Sequence, residues 1–229
     1  MAKKIKHPKA NKVSPSVFCF WTGDNPMTAN RLRNLEITKA SIGMPLILIT
    51  SENLNEYIKA EAPLHPAYQY LSCVHKSDYL RTYFMHHYGG GYTDIKRVEK
   101  SWAPFFVKLE CSDVFAIGYP ERSREDVAFD GTALSVHLAN NYSKLLGNCG
   151  YLFKANTTFT QHWMELLHQR LDEYLPHLRN NPGNIWGDNK GYPIPWTGIL
   201  GDIFHPLCLT YSDKLLFFDD IRFTKSDYR

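Results

Sequence analysis

Asp78, Arg81, Asp94 and Lys96 fall within one 20-residue stretch, "SDYLRTYFMHHYGGGYTDIK", residues 77–96. Two carboxylates, a guanidinium and an ammonium at this spacing suit a ligand that carries hydroxyl groups and an anion. Carboxylates accept hydrogen bonds from hydroxyls, and the two cations neutralise negative charge. The positions converge if the segment folds as helix, glycine turn and strand. In a helix Asp78 and Arg81 are i and i+3 and share a face. From Asp78 to Tyr88 the helix rises ~15 Å, and from Gly89 to Asp94 an extended chain travels ~16 Å back. Asp94 then returns level with Asp78 and Arg81, at a strand's C-terminal end beside a helix N-terminus. Open α/β sheets place ligands at such edges, and a helix N-terminus favours an anion. A plainer reading stands beside this one: Asp78 complements a helix dipole, Arg81 is its surface partner, and the glycines only turn the chain. A run of three glycines, each costly in unfolded-state entropy, also admits close approach of backbone to a ligand.

The elements that must position these residues are legible around them. "SVFCFW" (16–21) reads as a buried strand and "PLILIT" (45–50) as a second, with a helix from Thr28 to Ile42 between and a short helix near 52–60 after. Ser77 is the expected N-cap of the next helix, which ends near Tyr88. "YTDI", "DVFAIGYP" and "GYLFKA" read as strands, and 157–175 as an amphipathic helix carrying Phe159, Trp163, Leu166, Leu167 and Leu171 on one side. Surface loops are expected over 119–148, and strand-like pieces at "LCLTY" and "KLLFF". Strand and helix alternate, which predicts an α/β layer with a parallel sheet.

Composition narrows the class. The 229 residues suffice for one large domain, with 44% hydrophobic and 21% charged. The expected division is a basic, mobile arm at 1–14 and a single domain at 15–229. A balance of 26 basic against 23 acidic residues, +3, is too weak to imply nucleic acid. Five widely spaced cysteines form no CxxC pair, and no apolar run reaches the ~20 residues of a membrane span. With no hydrophobic signal core at the start, a reduced, cytoplasmic setting is expected and no integral membrane segment.

The block "HKSDYLRTYFMHHYGGGYTDIK" resembles the signature of DXD-containing sugar transferases, a group that includes capsular-polysaccharide synthesis proteins and the glucosylating clostridial toxins. In that group an S-D-x-L-R helix precedes Y-G-G-x-Y-x-D-x-D. Small size and "FCFWTG" look most similar to glycosyltransferases of large algal viruses. The resemblance implies a GT-A-like (Rossmann-like) fold, a mixed, mainly parallel sheet flanked by helices. It also implies a donor half at about 15–118 and an acceptor half at about 119–229. The activity implied is transfer from a nucleotide sugar, UDP-linked such as UDP-glucose or UDP-rhamnose, to a glycan or glycoprotein. Trp21, with Thr22 and Gly23, would hold the uracil. Asp78, Arg81, Tyr92 and Asp94 would hold ribose and donor sugar, and Asp94 would also be catalytic and bind the metal.

The chain departs from the signature at Lys96, which stands where the second aspartate binds the divalent cation. An ammonium has no lone pair to give a metal. Either Lys96 itself neutralises the diphosphate, or Mn²⁺ or Mg²⁺ is retained by Asp94 with a second ligand such as His205 or Asp202. An inverting transferase also needs a carboxylate base. Asp130 in "AFDGTA" is the first candidate, then Glu121, Asp188 and Asp202. Trp186 and Trp196 suit stacking on sugar rings or burial in the core. Two further functions fit the residues: a catalytically inactive nucleotide- or glycan-binding module, and a phosphate-handling metal hydrolase.

Overall fold

The computed structural model describes residues 15–128 and 130–224; the basic segment 1–14 lies outside the described residues. The apolar run at the start becomes β1, Val17–Trp21, followed by α1, Ala29–Ser41, and β2, Leu46–Thr50. Next come α2, Cys73–His87, and β3, Gly90–Thr93, and then α3, Ala103–Glu110, and β4, Ala116–Pro120. A short α4, Ala133–Asn140, leads to β5, Leu146–Phe153, and the long α5, Thr158–Asn180. α6, Gly201–Thr210, and β6, Leu215–Phe217, complete the described elements.

The six strands form one sheet in the order β2-β1-β3-β5-β4-β6. β1 pairs in parallel with β2 and β3, and β4 in parallel with β6, while β5 runs antiparallel between β3 and β4. The expected mixed, mainly parallel α/β architecture is what forms, with β5 as the strand reversed against the rest. α2 packs between the sheet and α5 and carries Tyr79, Leu80, Tyr83 and Phe84 into a core shared with Phe18, Phe20, Tyr92 and Trp163. Each such side chain contributes about 1.5–3 kcal/mol through burial, so the helix that presents Asp78 and Arg81 is firmly held.

Several expectations are corrected. α2 starts a turn and a half before Ser77: Ser72 is the N-cap, its hydroxyl accepting from His75 N at 3.1 Å. Both serines can cap, and the one that does follows the extended backbone of Leu71. The helix expected at 52–60 is only a 3₁₀ turn, Leu54–Tyr57. "LCLTY" lies largely in α6, where Ile203, Phe204, Leu207 and Cys208 are buried at a helical repeat that a short window hides. Within the loops expected at 119–148 lies α4, and β5 begins there.

The three glycines also have a different cause from the one anticipated. Gly89 and Gly90 have φ of +65° and +80°. A Cβ on Gly90 would lie 2.5 Å from Ser16 O, one on Gly89 2.8 Å from Phe153 O, and one on Gly91 2.9 Å from the Val17 side chain. The run lets β3 enter between β1 and β5. It brings this backbone against the backbone of Ser16 and Phe153 and the side chain of Val17.

Candidate active site

β3 ends at Thr93, so Asp94 is the first residue past the sheet edge. Its N–H donates to Cys149 O at 2.9 Å, which ties it to the start of β5. α2 lies alongside, with Asp78 and Arg81 facing that edge. Arg81 Nη2 stands 3.4 Å from Asp78 Oδ1 and 3.3 Å from Asp94 Oδ1. Its Nη1 donates to Asn148 O at 3.1 Å, and its guanidinium lies over the Tyr92 ring, 4.6 Å from the centroid. Tyr92 OH donates to Asp94 Oδ1 at 2.5 Å, and Lys96 Nζ to Asp94 Oδ2 at 2.9 Å. The helix–turn–strand geometry read from spacing therefore converges, and the row Asp78, Arg81, Asp94, Lys96 alternates in charge. The role expected for the helix N-terminus does not hold. It lies a turn and a half earlier, and its N–H groups at Cys73 and Val74 donate to the carbonyls of Asn184 and Ile185.

Burial and pairing act differently on the two carboxyls. Burial pushes Asp78 up from the usual carboxylate range, against the pull of Arg81. Burial also opposes charge on Asp94, but Lys96 and Arg81 together, with hydrogen bonds from Lys96 and Tyr92, hold it well below that range. Lys96 is raised in turn: Asp94 outweighs the burial that disfavours its charge. Asp94 and Lys96 are thus a locked ion pair at neutral pH.

A cavity of about 430 Å³ opens over this row. Asp78, Arg81, Asp94 and Lys96 line it, as do Glu121, Asn148, His205 and Trp196. His205 is buried, and burial lowers its pKa to about 4, so its ring is neutral at pH 7. Its Nε2 is 3.3 Å from Asn148 Nδ2 and 3.8 Å from Glu121 Oε1. Trp196 is 65% exposed and Trp186 57%, so neither is a core residue, and Trp196 stands at the cavity.

The other candidates lie outside the row. Trp21 ends β1, Thr22 and Gly23 follow it, and none of the three lines the cavity. Thr22 Oγ1 donates to Cys73 O at 2.6 Å, next to the cavity residue Val74. Trp21 is half-buried, with the Arg31 guanidinium 5.8 Å from its ring centroid, and Arg31 donates to Ile95 O between Asp94 and Lys96. Asp130 is exposed and away from the cavity lining. It accepts from Thr132 N at 3.0 Å and Thr132 Oγ1 at 2.7 Å, which hold its pKa at about 2, and so it braces the start of α4. Asp188 is exposed and bonded to Asn184, and Asp202 sits in the first turn of α6 outside the lining. Of the four carboxylates considered as a base, Glu121 alone reaches the cavity. Asn148 and Arg222 were not anticipated. Asn148 carried a signal, a polar residue interrupting the apolar strand "LGNCGY"; Arg222 carried none.

The residues present do not fit a divalent cation. Both oxygens of Asp94 already accept from Arg81, Tyr92 and Lys96. An ion bound at Oδ2 would sit about 4 Å from the Lys96 ammonium, a repulsion of about 8 kcal/mol at an effective dielectric of 20. His205 faces Asn148 and Glu121 instead. Among the described residues no three His, Cys, Asp or Glu side chains are grouped to hold a metal.

No helix among the described residues is long and apolar enough to cross a membrane. A solved structure titled "PaToxG Glycosyltransferase" superposes with a TM-score of 0.48 at 10% identity, over 86% of this chain and 69% of that one. That likeness is too remote to transfer residue roles. No curated protein matches the chain. The family model described as "Capsular polysaccharide synthesis protein" matches residues 2–146. That span is well over half of the 229 residues and contains the whole Asp78–Lys96 row, and the chain therefore belongs to the capsular polysaccharide synthesis family.

Proposed function

We propose that the protein transfers a sugar from a nucleoside diphosphate sugar, UDP-linked such as UDP-glucose or UDP-rhamnose, to a hydroxyl of a glycan or glycoprotein acceptor. The observation that carries this reading is the row Asp78, Arg81, Asp94 and Lys96 in the cavity lining. Asp78, and Asp94 through the lone pair left at Oδ2 beside Lys96, accept hydrogen bonds from donor-sugar and ribose hydroxyls. Arg81, held between them, fixes both carboxylates and is itself largely occupied. Trp21, linked through Arg31 to the Ile95 carbonyl between Asp94 and Lys96, offers an indole face to the base, with Thr22 and Gly23 following it. Family membership supports a role in building polysaccharide.

In the reaction the bond between the sugar C1 and the diphosphate oxygen breaks, and its electron pair stays on that oxygen. The acceptor oxygen forms the new bond to C1 and releases its proton, which Glu121 takes. Most of the acceleration comes from holding the two partners in line and from stabilising the charge on the leaving diphosphate. The test is incubation with a panel of nucleotide sugars, with release of nucleoside diphosphate and mass of the product as readouts. Release is expected with at least one donor and its loss in Asp94→Ala. A folded protein that turns over no donor in the panel overturns the reading.

A further inference from the structure

Resting on the transferase reading, the geometry points to a site that binds its nucleoside diphosphate without a divalent cation, the Lys96 ammonium occupying the position and role of the metal.

Lys96 is built into the cavity wall. Its Nζ is held at 2.9 Å by Asp94 Oδ2 and at 3.1 Å by Cys149 Sγ, and it stands 4.2 Å from the centroid of the Phe223 ring. A carboxylate, a thiol and an aromatic face thus fix the ammonium where the side chain lines the cavity. Burial strips it of much of its water, so a phosphate oxygen arriving there replaces solvent at little further cost. Cys149 has its thiol pushed up to about 11 by burial and so stays protonated and neutral beside the ammonium. Besides Arg81, a further cation lines the same cavity. Arg222 is held by Asp219 Oδ1 at 2.9 Å and by Pro120 O, with its guanidinium 4.4 Å from the Tyr119 ring centroid.

Arg81 is taken up between Asp78 and Asp94, which leaves Lys96 and Arg222, each steadied by one carboxylate, as the cations for the phosphates. When the C1–O bond breaks, the electron pair left on the phosphate oxygen adds one negative charge. An N–H of Lys96 donates to that oxygen and keeps its proton. Asp94, which would ligate a metal if it were free, holds the ammonium in place.

The experiment is calorimetric titration of UDP into the folded protein, once in EDTA and once in MnCl₂, for the wild type, Lys96→Ala and Lys96→Arg. GDP, CDP and ADP are titrated into the wild type as well. Wild-type affinity for UDP is expected to agree within twofold in the two buffers. Lys96→Ala is expected to weaken binding at least tenfold in both, and Lys96→Arg, which keeps the charge and controls for folding, by no more than about threefold. UDP binding that tightens more than tenfold with manganese, or that is indifferent to Lys96→Ala, overturns the inference and leaves the transferase reading standing. Failure of all four nucleotides to bind in either buffer overturns both.

Discussion

Replacing Arg81 by methionine keeps the length of the side chain and removes its charge. The two carboxylates beside it then fare differently. Asp78, 4% exposed, loses the guanidinium 3.4 Å from its Oδ1, the strongest positive influence on this buried carboxyl. Asp94 keeps Lys96 and Tyr92. Removing one partner of a buried pair costs about 3–5 kcal/mol, which in a chain of this size lowers the melting temperature by roughly 6–20 °C. The pH dependence has a definite sign. Asp78 already has its pKa raised by burial in the folded state, and without Arg81 it rises further. Below pH ~4 the group is protonated in both folded and unfolded chains, and the variant loses only the packing and hydrogen bonds of the guanidinium. Above that the unfolded chain releases the proton and the folded one keeps it, so stability falls as pH rises. The gap between wild type and Arg81→Met is therefore smallest near pH 4 and widens towards pH 8. Urea unfolding at several pH values measures it directly. A penalty under about 1 kcal/mol, or one that does not change between pH 4.5 and 8, refutes the account of the row as a set of mutually dependent charges.

Three other outcomes are expected. Glu121→Gln lowers kcat about 100-fold, the usual scale of a lost general base, while UDP affinity measured by calorimetry stays unchanged; a loss below threefold removes Glu121 from the chemistry. Trp196→Ala, at an exposed position, changes stability by no more than about 0.5 kcal/mol yet raises the acceptor KM, so equal acceptor kinetics in the two proteins would remove the indole from the acceptor site. Gly90→Ala forces a side chain onto Ser16 O at 2.5 Å with φ at +80° and costs at least about 2 kcal/mol, a drop in melting temperature of roughly 4–8 °C; a melting curve matching the wild type would contradict the described packing of β3.

Much of the fold was legible because its signals are local. The apolar run at 17–21 is buried as read, whereas 46–50 forms the edge strand β2, of which Ile49 alone is fully buried; the period of 157–175 marks α5, although Leu166 is exposed. The row from Asp78 to Lys96 was also legible, because a helix rise and a strand rise of nearly equal length bring its ends level whatever the rest of the chain does. The hidden features depended on distant partners. Ser72 and Ser77 offer the same cap, and the choice between them lies in the backbone of Leu71. The glycine run looked like a ligand cradle because its true neighbours, Ser16 and Phe153, are 74 and 64 residues away from Gly90 and Gly89 in sequence. Asp130 looked like a base because nothing near it in sequence shows that Glu121 reaches the cavity instead, carried there by the end of β4.

The reversed strand also gathers separate parts of the site onto one stretch of chain. Because β5 runs against its neighbours, its opening residues meet the closing end of β3. The carbonyls of Asn148 and Cys149 accept from Arg81 and from Asp94 N, while the Asn148 side chain meets His205. Two consecutive residues of one strand thus join Arg81, Asp94 and His205, so that displacing this stretch of β5 would disturb all three together.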